Sequence, residues 1–203
     1  MTNAEPVVEF FFDVGSPYSY LAATQLHTLE GFSSAKVRWR PFLVGGVFKA
    51  AGNDMPARVP AKAKYMLADL QTWAKEYGVE LNFPASFPPN TLKAQRALTA
   101  AARIGEDSVR RFALGLFRAY WVEGRDVSDA AVLGDVAAHA GLDAPAILAS
   151  LDNPEIKDAL RRETEEAVER GAFGAPTFFI GDRMFWGNDR LQFVEAHLRA
   201  LEE

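Results

Sequence analysis

The sequence contains no cysteine among its 203 residues. This absence excludes disulfides, thiolate metal sites, cysteine nucleophiles and dithiol redox chemistry within the protein. Any sulfur nucleophile must therefore come from a ligand. Only three histidines are present, in helical patterns that lack the spacing of a metal motif or of a catalytic triad, so we predict no metal site.

Long apolar runs and an excess of positive charge are also missing. No apolar run is long enough to cross a bilayer, and the amino terminus lacks the basic and apolar regions of a signal peptide. The formal net charge of -5 argues against a basic face that would neutralise nucleic-acid phosphates. We therefore expect a cytoplasmic protein that binds neither nucleic acid nor membrane.

What is present is the composition of a globular domain, with 49% hydrophobic and 24% charged residues. The first part of the chain predicts a β-α-β unit. Val7–Asp13 is apolar and aromatic on both faces, as in a central strand, and a helix follows from Pro17 to about Leu29, where Gly31 would end it. Lys36–Phe42 alternates and predicts a second strand.

The middle of the chain, from Ala61 to about Arg170, has helical periods throughout. We expect Ser128 to cap one of these helices and Asn153 to cap another, since serine and asparagine are common at helix starts. Asn82–Asn90 is a proline-rich loop. The middle therefore predicts an all-helical segment without strands.

The last part of the chain returns to strand patterns. Pro176–Ile180 and Arg183–Trp186 predict two strands joined by a tight turn at Gly181-Asp182. Asn188 and Asp189 would then cap a final helix with one apolar stripe. The complete order is β-α-β, a helical segment, then β-β-α, which is the topology of a thioredoxin-like protein.

Three stretches carry a more specific resemblance: "DVGSPYSYLA", "GND" with a lysine nine residues after its asparagine, and "GAFGAPTFFIGDRMFWGNDRL". Together they resemble the glutathione-dependent 2-hydroxychromene-2-carboxylate isomerases, which form a family with the kappa-class glutathione transferases and the DsbA-like thioredoxin relatives. The resemblance implies an α/β, thioredoxin-like fold with a large all-helical insertion. We expect the thioredoxin-like domain at residues 1–45 and 171–203 and the insertion at residues 46–170.

Ser16 has two interpretations. A serine before a proline at a helix start is a common cap. The same position offers unpaired N–H groups and partial positive charge, which favour an anion and lower a thiol pKa. In the redox relatives this turn carries Cys-Pro-x-Cys, so the resemblance implies that Ser16 is catalytic and stabilises the thiolate of bound glutathione. Ser19, one turn later, is left outside the predicted site.

The resemblance also implies that Pro176 follows a cis peptide bond, although a general X-Pro bond would favour trans. The backbone of Ala175 would then pair like a strand with the cysteinyl unit of glutathione.

The remaining predicted glutathione residues are Asn53, Lys62, Asn188 and Asp189. Asn188 and Asp189 would hold the γ-glutamyl end, and Asn53 and Lys62 the peptide and glycyl end. From spacing alone, ordinary helix capping explains Asn188 and Asp189 equally well. A lysine such as Lys62 is usually just solvated at the surface.

The resemblance places Lys49, Asn53 and Asp54 at the acidic aromatic substrate. An apolar wall could come from Phe48, Phe83 or Trp186, although such aromatics normally pack in cores.

Three functions remain open on the sequence. The first is a glutathione-dependent isomerase of 2-hydroxychromene-2-carboxylate or a related aromatic acid, in naphthalene-type catabolism. The second is a kappa-class glutathione transferase. The third is a thioredoxin-like module that binds glutathione or a peptide without chemistry. The family resemblance also implies a homodimer.

Overall fold

Four strands form one mixed sheet in the computed structural model, which describes residues 5–32 and 34–202. The strands are β1 (Val7–Phe12), β2 (Lys36–Pro41), β3 (Thr177–Ile180) and β4 (Arg183–Trp186). Their order is β2-β1-β3-β4, with β1 parallel to β2 and antiparallel to β3, and β3 antiparallel to β4. The predicted strands are confirmed to within one residue at each end.

The described chain also contains these helices: α1 (Pro17–Phe32), α2 (Val44–Ala50), α3 (Pro60–Tyr77), α4 (Leu92–Ile104), α5 (Glu106–Trp121), α6 (Ala130–His139), α7 (Ala144–Ser150), α8 (Pro154–Glu169) and α9 (Leu191–Glu202). Short 3₁₀ turns precede α3 and α9, at Pro56–Arg58 and Asn188–Arg190. Between β2 and β3 the described residues contain no strand, which confirms the predicted all-helical insertion. None of the described helices has the length and apolar character needed to cross a membrane.

Both faces of the sheet are covered, as the two-sided apolar pattern of β1 predicts. On one face Phe10 stacks on Phe178, with ring centroids 5.2 Å apart, and meets the edge of Trp39. On the other face Phe11 packs against Phe42 and Phe179. The central strand is therefore buried on both sides, and its carboxyl end is fixed in the interior.

Helix α8 is attached to the second face through a buried arginine. Arg40 of β2, which is 5% exposed, donates to Glu163 and Glu166 of α8 at 2.6 Å and also pairs with Glu9 of β1. Arg170 pairs with Glu9 at 2.8 Å and lies over the ring of Phe179. Because the ion pairs join the last helix of the insertion to both parallel strands, they hold the insertion against the sheet.

Three expectations about helix ends are wrong. Gly31 does not end α1, which continues to Phe32, because glycine is tolerated in a helix at about 1 kcal/mol relative to alanine. The cap of α6 is Asp129, not Ser128; its carboxylate accepts from the N–H of Ala131 because it directly precedes the first helical residue. Asn153 caps α8 as predicted.

The third expectation concerns Asn188 and Asp189, which do not cap the final helix by their side chains. They lie inside the 3₁₀ turn that leads into α9, and the residue before this turn makes no side-chain cap bond. Asn188 is only 2% exposed and its amide donates to the hydroxyl of Tyr77 on α3. The side chain therefore bonds to a neighbouring helix instead of to its own.

One helix was not predicted. Helix α2 begins at Val44, soon after the second strand, and contains the Gly45-Gly46 pair at the predicted domain boundary. A Cβ at Gly46 would lie 3.1 Å from Cγ2 of Thr164, so this glycine allows α2 to approach α8 closely. The division of the chain at residues 45/46 and 170/171 stays a prediction.

Candidate active site

The turn after β1 is organised by Asp13, which is 1% exposed. Its carboxylate accepts from the N–H of Gly15 at 2.9 Å and from the N–H of Val44 at 3.0 Å. Burial raises the pKa of Asp13, and hydrogen bonds from these two amides and from Thr91 partly oppose that rise. One side chain thus joins the end of β1 to the starts of α2 and α4.

Residue 15 must be a glycine because side chains of the neighbouring loop approach its Cα closely. A Cβ at this position would lie 3.0 Å from Cγ2 of Thr91 and 3.1 Å from Cγ of Pro89. The indole N–H of Trp121 donates to the carbonyl of Val14 at 2.8 Å, one residue earlier. The proline-rich loop and α5 therefore both contact the turn that Asp13 organises, and the next residue, Ser16, has a fixed position.

The hydroxyl of Ser16 makes two hydrogen bonds. It accepts from the N–H of Ser19 at 3.2 Å, which is the ordinary helix cap. It also donates to the carbonyl of Ala175 at 3.0 Å, across 159 residues of sequence. Both interpretations of Ser16 are therefore compatible with its position, since capping uses the oxygen and leaves the proton for another acceptor.

The bond between Ala175 and Pro176 is cis, as predicted. Pro176 is buried, and its carbonyl accepts from the N–H of Gly187 at 3.0 Å. The structure thus brings the predicted residues Ser16, Ala175 and Pro176 together at the amino end of α1.

Trp186 stands over the residue before Ala175. A Cβ at Gly174 would lie 2.6 Å from the indole Nε1, so only glycine fits there. The indole packs against Phe173, with ring centroids 4.8 Å apart, and Trp186 remains 45% exposed. An apolar surface with an open face therefore borders the turn; the contact of Trp186 with a substrate stays a prediction.

Asn53 also reaches this turn. Its amide donates to the carbonyl of Phe173 at 3.1 Å, so the segment after α2 lies beside the Ala175 backbone. Asp54, the next residue, is exposed and pairs with Arg58 at 3.0 Å. The prediction for Asn53 thus has a contact that supports it, whereas the carboxylate of Asp54 is directed to a neighbouring arginine.

Lys49 and Lys62 are exposed, in the last turn of α2 and the first turn of α3. In the described part of the chain, no hydrogen bond or ion pair joins either lysine to Ser16 or Ala175. Their ammonium groups are available to an anionic ligand, but the fold does not fix them at the turn. Their assigned roles stay predictions.

Two carboxylates lie near Tyr18, two residues after Ser16. The hydroxyl of Tyr18 donates to Oδ2 of Asp69 at 2.9 Å. Burial raises the pKa of Tyr18, and so do the bond to Asp69 and the negative charges of Asp69 and Asp189. Asp189 also pairs with Arg190 at 2.6 Å. The amino end of α1 therefore has an acidic border.

Tyr18 and Asp69 were missed in the sequence analysis. A signal for Asp69 exists: it lies three residues after Met66 and four before Trp73, inside the apolar stripe of α3. A carboxylate in an apolar stripe is expected to have a polar partner. The partner itself, 51 residues away, could not be identified from spacing.

Comparison with known proteins agrees with this fold. The family model for the DSBA-like thioredoxin domain matches residues 7–199. This chain belongs to the DSBA-like thioredoxin family. The match covers both strand-forming ends and the helical segment between them.

Within the DSBA-like family the chain is similar to two groups of enzymes. It is 38% identical to the 2-hydroxychromene-2-carboxylate isomerase of Sphingobium xenophagum, over 94% of this chain and 97% of that protein. It is 30% identical to human glutathione S-transferase kappa 1, over 94% and 89%. A solved structure of 2-hydroxychromene-2-carboxylate isomerase superposes with a TM-score of 0.88 at 31% identity, covering 96% of this chain and 95% of that one. The sequence resemblance to these families is confirmed.

Proposed function

We propose that the protein is a glutathione-dependent isomerase that converts 2-hydroxychromene-2-carboxylate, or a related aromatic acid, to trans-o-hydroxybenzylidenepyruvate or its counterpart. The observation that carries the proposal is the hydroxyl of Ser16, at the amino end of a 16-residue helix and facing the Ala175 carbonyl, in a chain without cysteine. The names of the relatives, an isomerase and a glutathione transferase, support the same chemistry.

The residues at the turn fit the thiol of glutathione. The amino end of α1 favours an anion, and the Ser16 proton can turn from the Ala175 carbonyl to a sulfur. The N–H of Ser19 keeps donating to Ser16 Oγ, which strengthens the hydroxyl as a donor. Ser16 thus lowers the thiol pKa and holds the sulfur at a defined position.

When Ser16 turns to the sulfur, it releases the carbonyl of Ala175. That carbonyl then accepts the N–H of the cysteinyl unit, in the manner of an added strand. Asn53, whose amide already reaches Phe173 in the same segment, serves the peptide beyond it, and Lys62 the glycyl carboxylate. The cysteinyl N–H thus replaces the Ser16 hydroxyl as the donor to the Ala175 carbonyl, so that this carbonyl is not left unpaired.

The acidic border fits the γ-glutamyl end. Asp189 and Asp69 attract its ammonium group, while the backbone N–H groups of the 3₁₀ turn at Asn188 face its carboxylate. Tyr18 holds Asp69 by a hydrogen bond and fixes the carboxylate there. The site therefore offers negative groups to the ammonium of the ligand and N–H donors to its carboxylate.

Glutathione, when bound, would supply a thiolate for reversible addition to a conjugated double bond, which is the chemistry that isomerisation about that bond needs. The chain's own residues orient the aromatic acid for this: Lys49 attracts its carboxylate, and Asn53 and Asp54 bind its polar groups. Trp186 shields the ring from water on one side. No net oxidation occurs and glutathione is returned unchanged.

A turnover assay with 2-hydroxychromene-2-carboxylate tests the proposal. We expect conversion that requires glutathione and does not consume it. Conjugation of a halonitrobenzene without chromene turnover would instead identify a kappa-class transferase, the activity named for the 30% identical human relative. Glutathione binding by isothermal titration without either reaction would identify a binding module, and would overturn the proposed chemistry.

A further inference from the structure

A second depression lies between α2, α4 and α8, separate from the Ser16 turn. We call it the α2–α4–α8 groove; its volume is about 480 Å³. Apolar side chains form most of its walls, among them Leu43, Leu92, Leu160 and Val168. Its described lining contains none of the predicted site residues. Small-molecule clefts have volumes in this range and similar apolar walls.

Charged side chains stand at the rim of the groove, and most have partners. Lys157 pairs with Asp152 at 3.0 Å, and Arg161 pairs with Glu165 at 2.8 Å. Glu169 also lines the groove. The two cations that α8 contributes are thus neutralised by neighbouring carboxylates, and neither calls for an external anion.

Arg96 of α4 is the exception. Its Nη1 donates to the carbonyl of Leu151 at 3.3 Å, and in the described residues no carboxylate oxygen lies within 4.0 Å of its guanidinium. Its Nε is buried and has no hydrogen-bond acceptor. A buried N–H without an acceptor carries a desolvation cost, and for a charged group the cost is larger. No described carboxylate therefore contacts Arg96 directly, and the negative charge of Asp152, which acts on Arg96 at longer range, is already paired with Lys157.

We propose that the α2–α4–α8 groove binds an apolar monocarboxylate, with its carboxylate on the guanidinium of Arg96 and its hydrocarbon body against Leu43, Leu92 and Leu160. The fork of a guanidinium matches a carboxylate geometrically, and the apolar walls favour a ring or chain over a sugar or a phosphate. Binding in this way would require the Arg96 side chain to turn so that its buried Nε meets the carboxylate and gains the acceptor that it lacks.

Titration of the full chain with 2-naphthoate tests the proposal, using isothermal calorimetry and amide shifts in two-dimensional NMR spectra. We expect the shifts to centre on Ala50, Leu92 and Leu160. Arg96→Gln keeps N–H donors but removes the charge, and should weaken binding about ten- to hundredfold. Neutral 2-naphthamide should bind the wild type and Arg96→Gln equally weakly.

Two further variants keep the test decisive. Ala50 is exposed at the end of α2 and lines the groove, so Ala50→Trp should fill it and reduce 2-naphthoate binding without disturbing the core. Arg103→Gln removes another cation of α4, one that pairs with Glu155 and lies outside the groove lining, and should leave the affinity unchanged. Equal affinities for wild type and Arg96→Gln, or shifts centred on Ser16 and Lys49, would overturn the proposal.

Discussion

At the residue scale, the hydroxyl of Ser16 has one proton and two possible acceptors for it. In this structure the proton goes to the carbonyl of Ala175, while the oxygen accepts from Ser19. A thiolate is a charged acceptor and a carbonyl is neutral, and hydrogen bonds to charged partners are the stronger ones. Once glutathione binds, the Ser16 hydroxyl should therefore donate to the thiolate instead of to the Ala175 carbonyl.

Ser16→Ala should raise the thiol pKa of bound glutathione and lower turnover. A hydrogen bond to a charged group contributes about 1.5–3 kcal/mol, so the rate should fall roughly ten- to hundredfold at neutral pH. Part of the loss should return as pH rises, because the thiol then ionises without help. Glutathione affinity should change little. The measurement is the ultraviolet thiolate absorbance of bound glutathione against pH.

Ser19→Ala provides the matched control. The hydroxyl of Ser19 is buried but has no hydrogen-bond partner, while its N–H, which the substitution keeps, makes the bond to Ser16. This variant should therefore titrate like the wild type. Identical titration midpoints for Ser16→Ala and Ser19→Ala would show that Ser16 is only a helix cap.

Asp13 should make stability depend on pH in a defined direction. Burial raises its pKa above the ordinary value of 3.8, so the folded state holds the proton to a higher pH than the unfolded state. Its contribution to the free energy of unfolding is then largest at low pH and declines as pH rises above that value. The decline ends once the pH has passed the folded-state pKa.

Asp13→Asn tests this sign. The variant should be less stable by about 1–3 kcal/mol near pH 4, because its NH₂ group must face one of the two backbone N–H donors. That difference from the wild type should shrink toward pH 7, as the wild type loses the contribution of its proton. Urea unfolding at both pH values measures it. A difference that grows with pH would mean that the carboxylate pKa is lowered in the folded state.

Local sequence patterns identified part of the site and could not identify the rest. Ser16 and Pro176 belong to motifs that mark the two sides of one turn, so their meeting was predictable from the family resemblance. The pairing of Tyr18 with Asp69 depends on how α1 and α3 lie against each other. That packing is set by many apolar contacts, which no single motif encodes.

At the scale of elements, the ion pairs around Arg40 connect α8 to both parallel strands. Removing one member of a buried ion pair leaves the other charge buried without a partner, which strongly lowers the free energy of unfolding. Replacing the whole pair by apolar residues changes that free energy much less. The geometry is favourable here, since Nη1 and Nη2 of Arg40 both bond Glu166, at 2.7 and 2.6 Å. Arg40 is therefore a sensitive point of the fold.

Arg40→Met should lower the free energy of unfolding by roughly 3–5 kcal/mol, because Glu163 would remain partly buried without a cation and Glu9 would keep only Arg170. Urea denaturation measures the change. Arg161→Met is the control: Arg161 pairs with Glu165 on the exposed side of the same helix, where solvent screens the charges. Equal losses in the two variants would contradict a special role for the buried pairs.

The strands were predictable from the sequence, whereas helix α2 was not. Strands β1 and β3 have dense aromatic and β-branched sequences, β2 alternates, and β4 follows a tight turn, so each strand was found to within one residue. Helix α2 was missed because it has only seven residues and contains Gly45 and Gly46, which usually interrupt a helix. It forms because Asp13 holds the N–H of Val44 and α8 packs against Gly46. Those are tertiary contacts between segments distant in sequence.

At the scale of the whole molecule, the proposed glutathione site takes residues from three separate parts of the chain. Ser16 comes from the first part, Asn53 from the segment after α2, and Ala175 and Asn188 from the last part. A ligand that contacts all three holds them together only in the folded state. Binding should therefore stabilise the entire fold.

Glutathione at one hundred times its Kd should raise the free energy of unfolding by about 2.7 kcal/mol, since only the folded chain binds it. Ser16→Ala should show nearly the same ligand-dependent increase, because its proposed bond acts on the sulfur while the other contacts with the tripeptide remain. Asn53→Ala should show a smaller increase at the same glutathione concentration, because it loses a peptide contact. Urea unfolding across a glutathione series measures the increase for each variant against its own ligand-free value, which separates binding from any direct loss of stability. If Ser16→Ala abolished the increase and Asn53→Ala kept it, Ser16 would be a binding residue and the division of roles proposed here would be wrong.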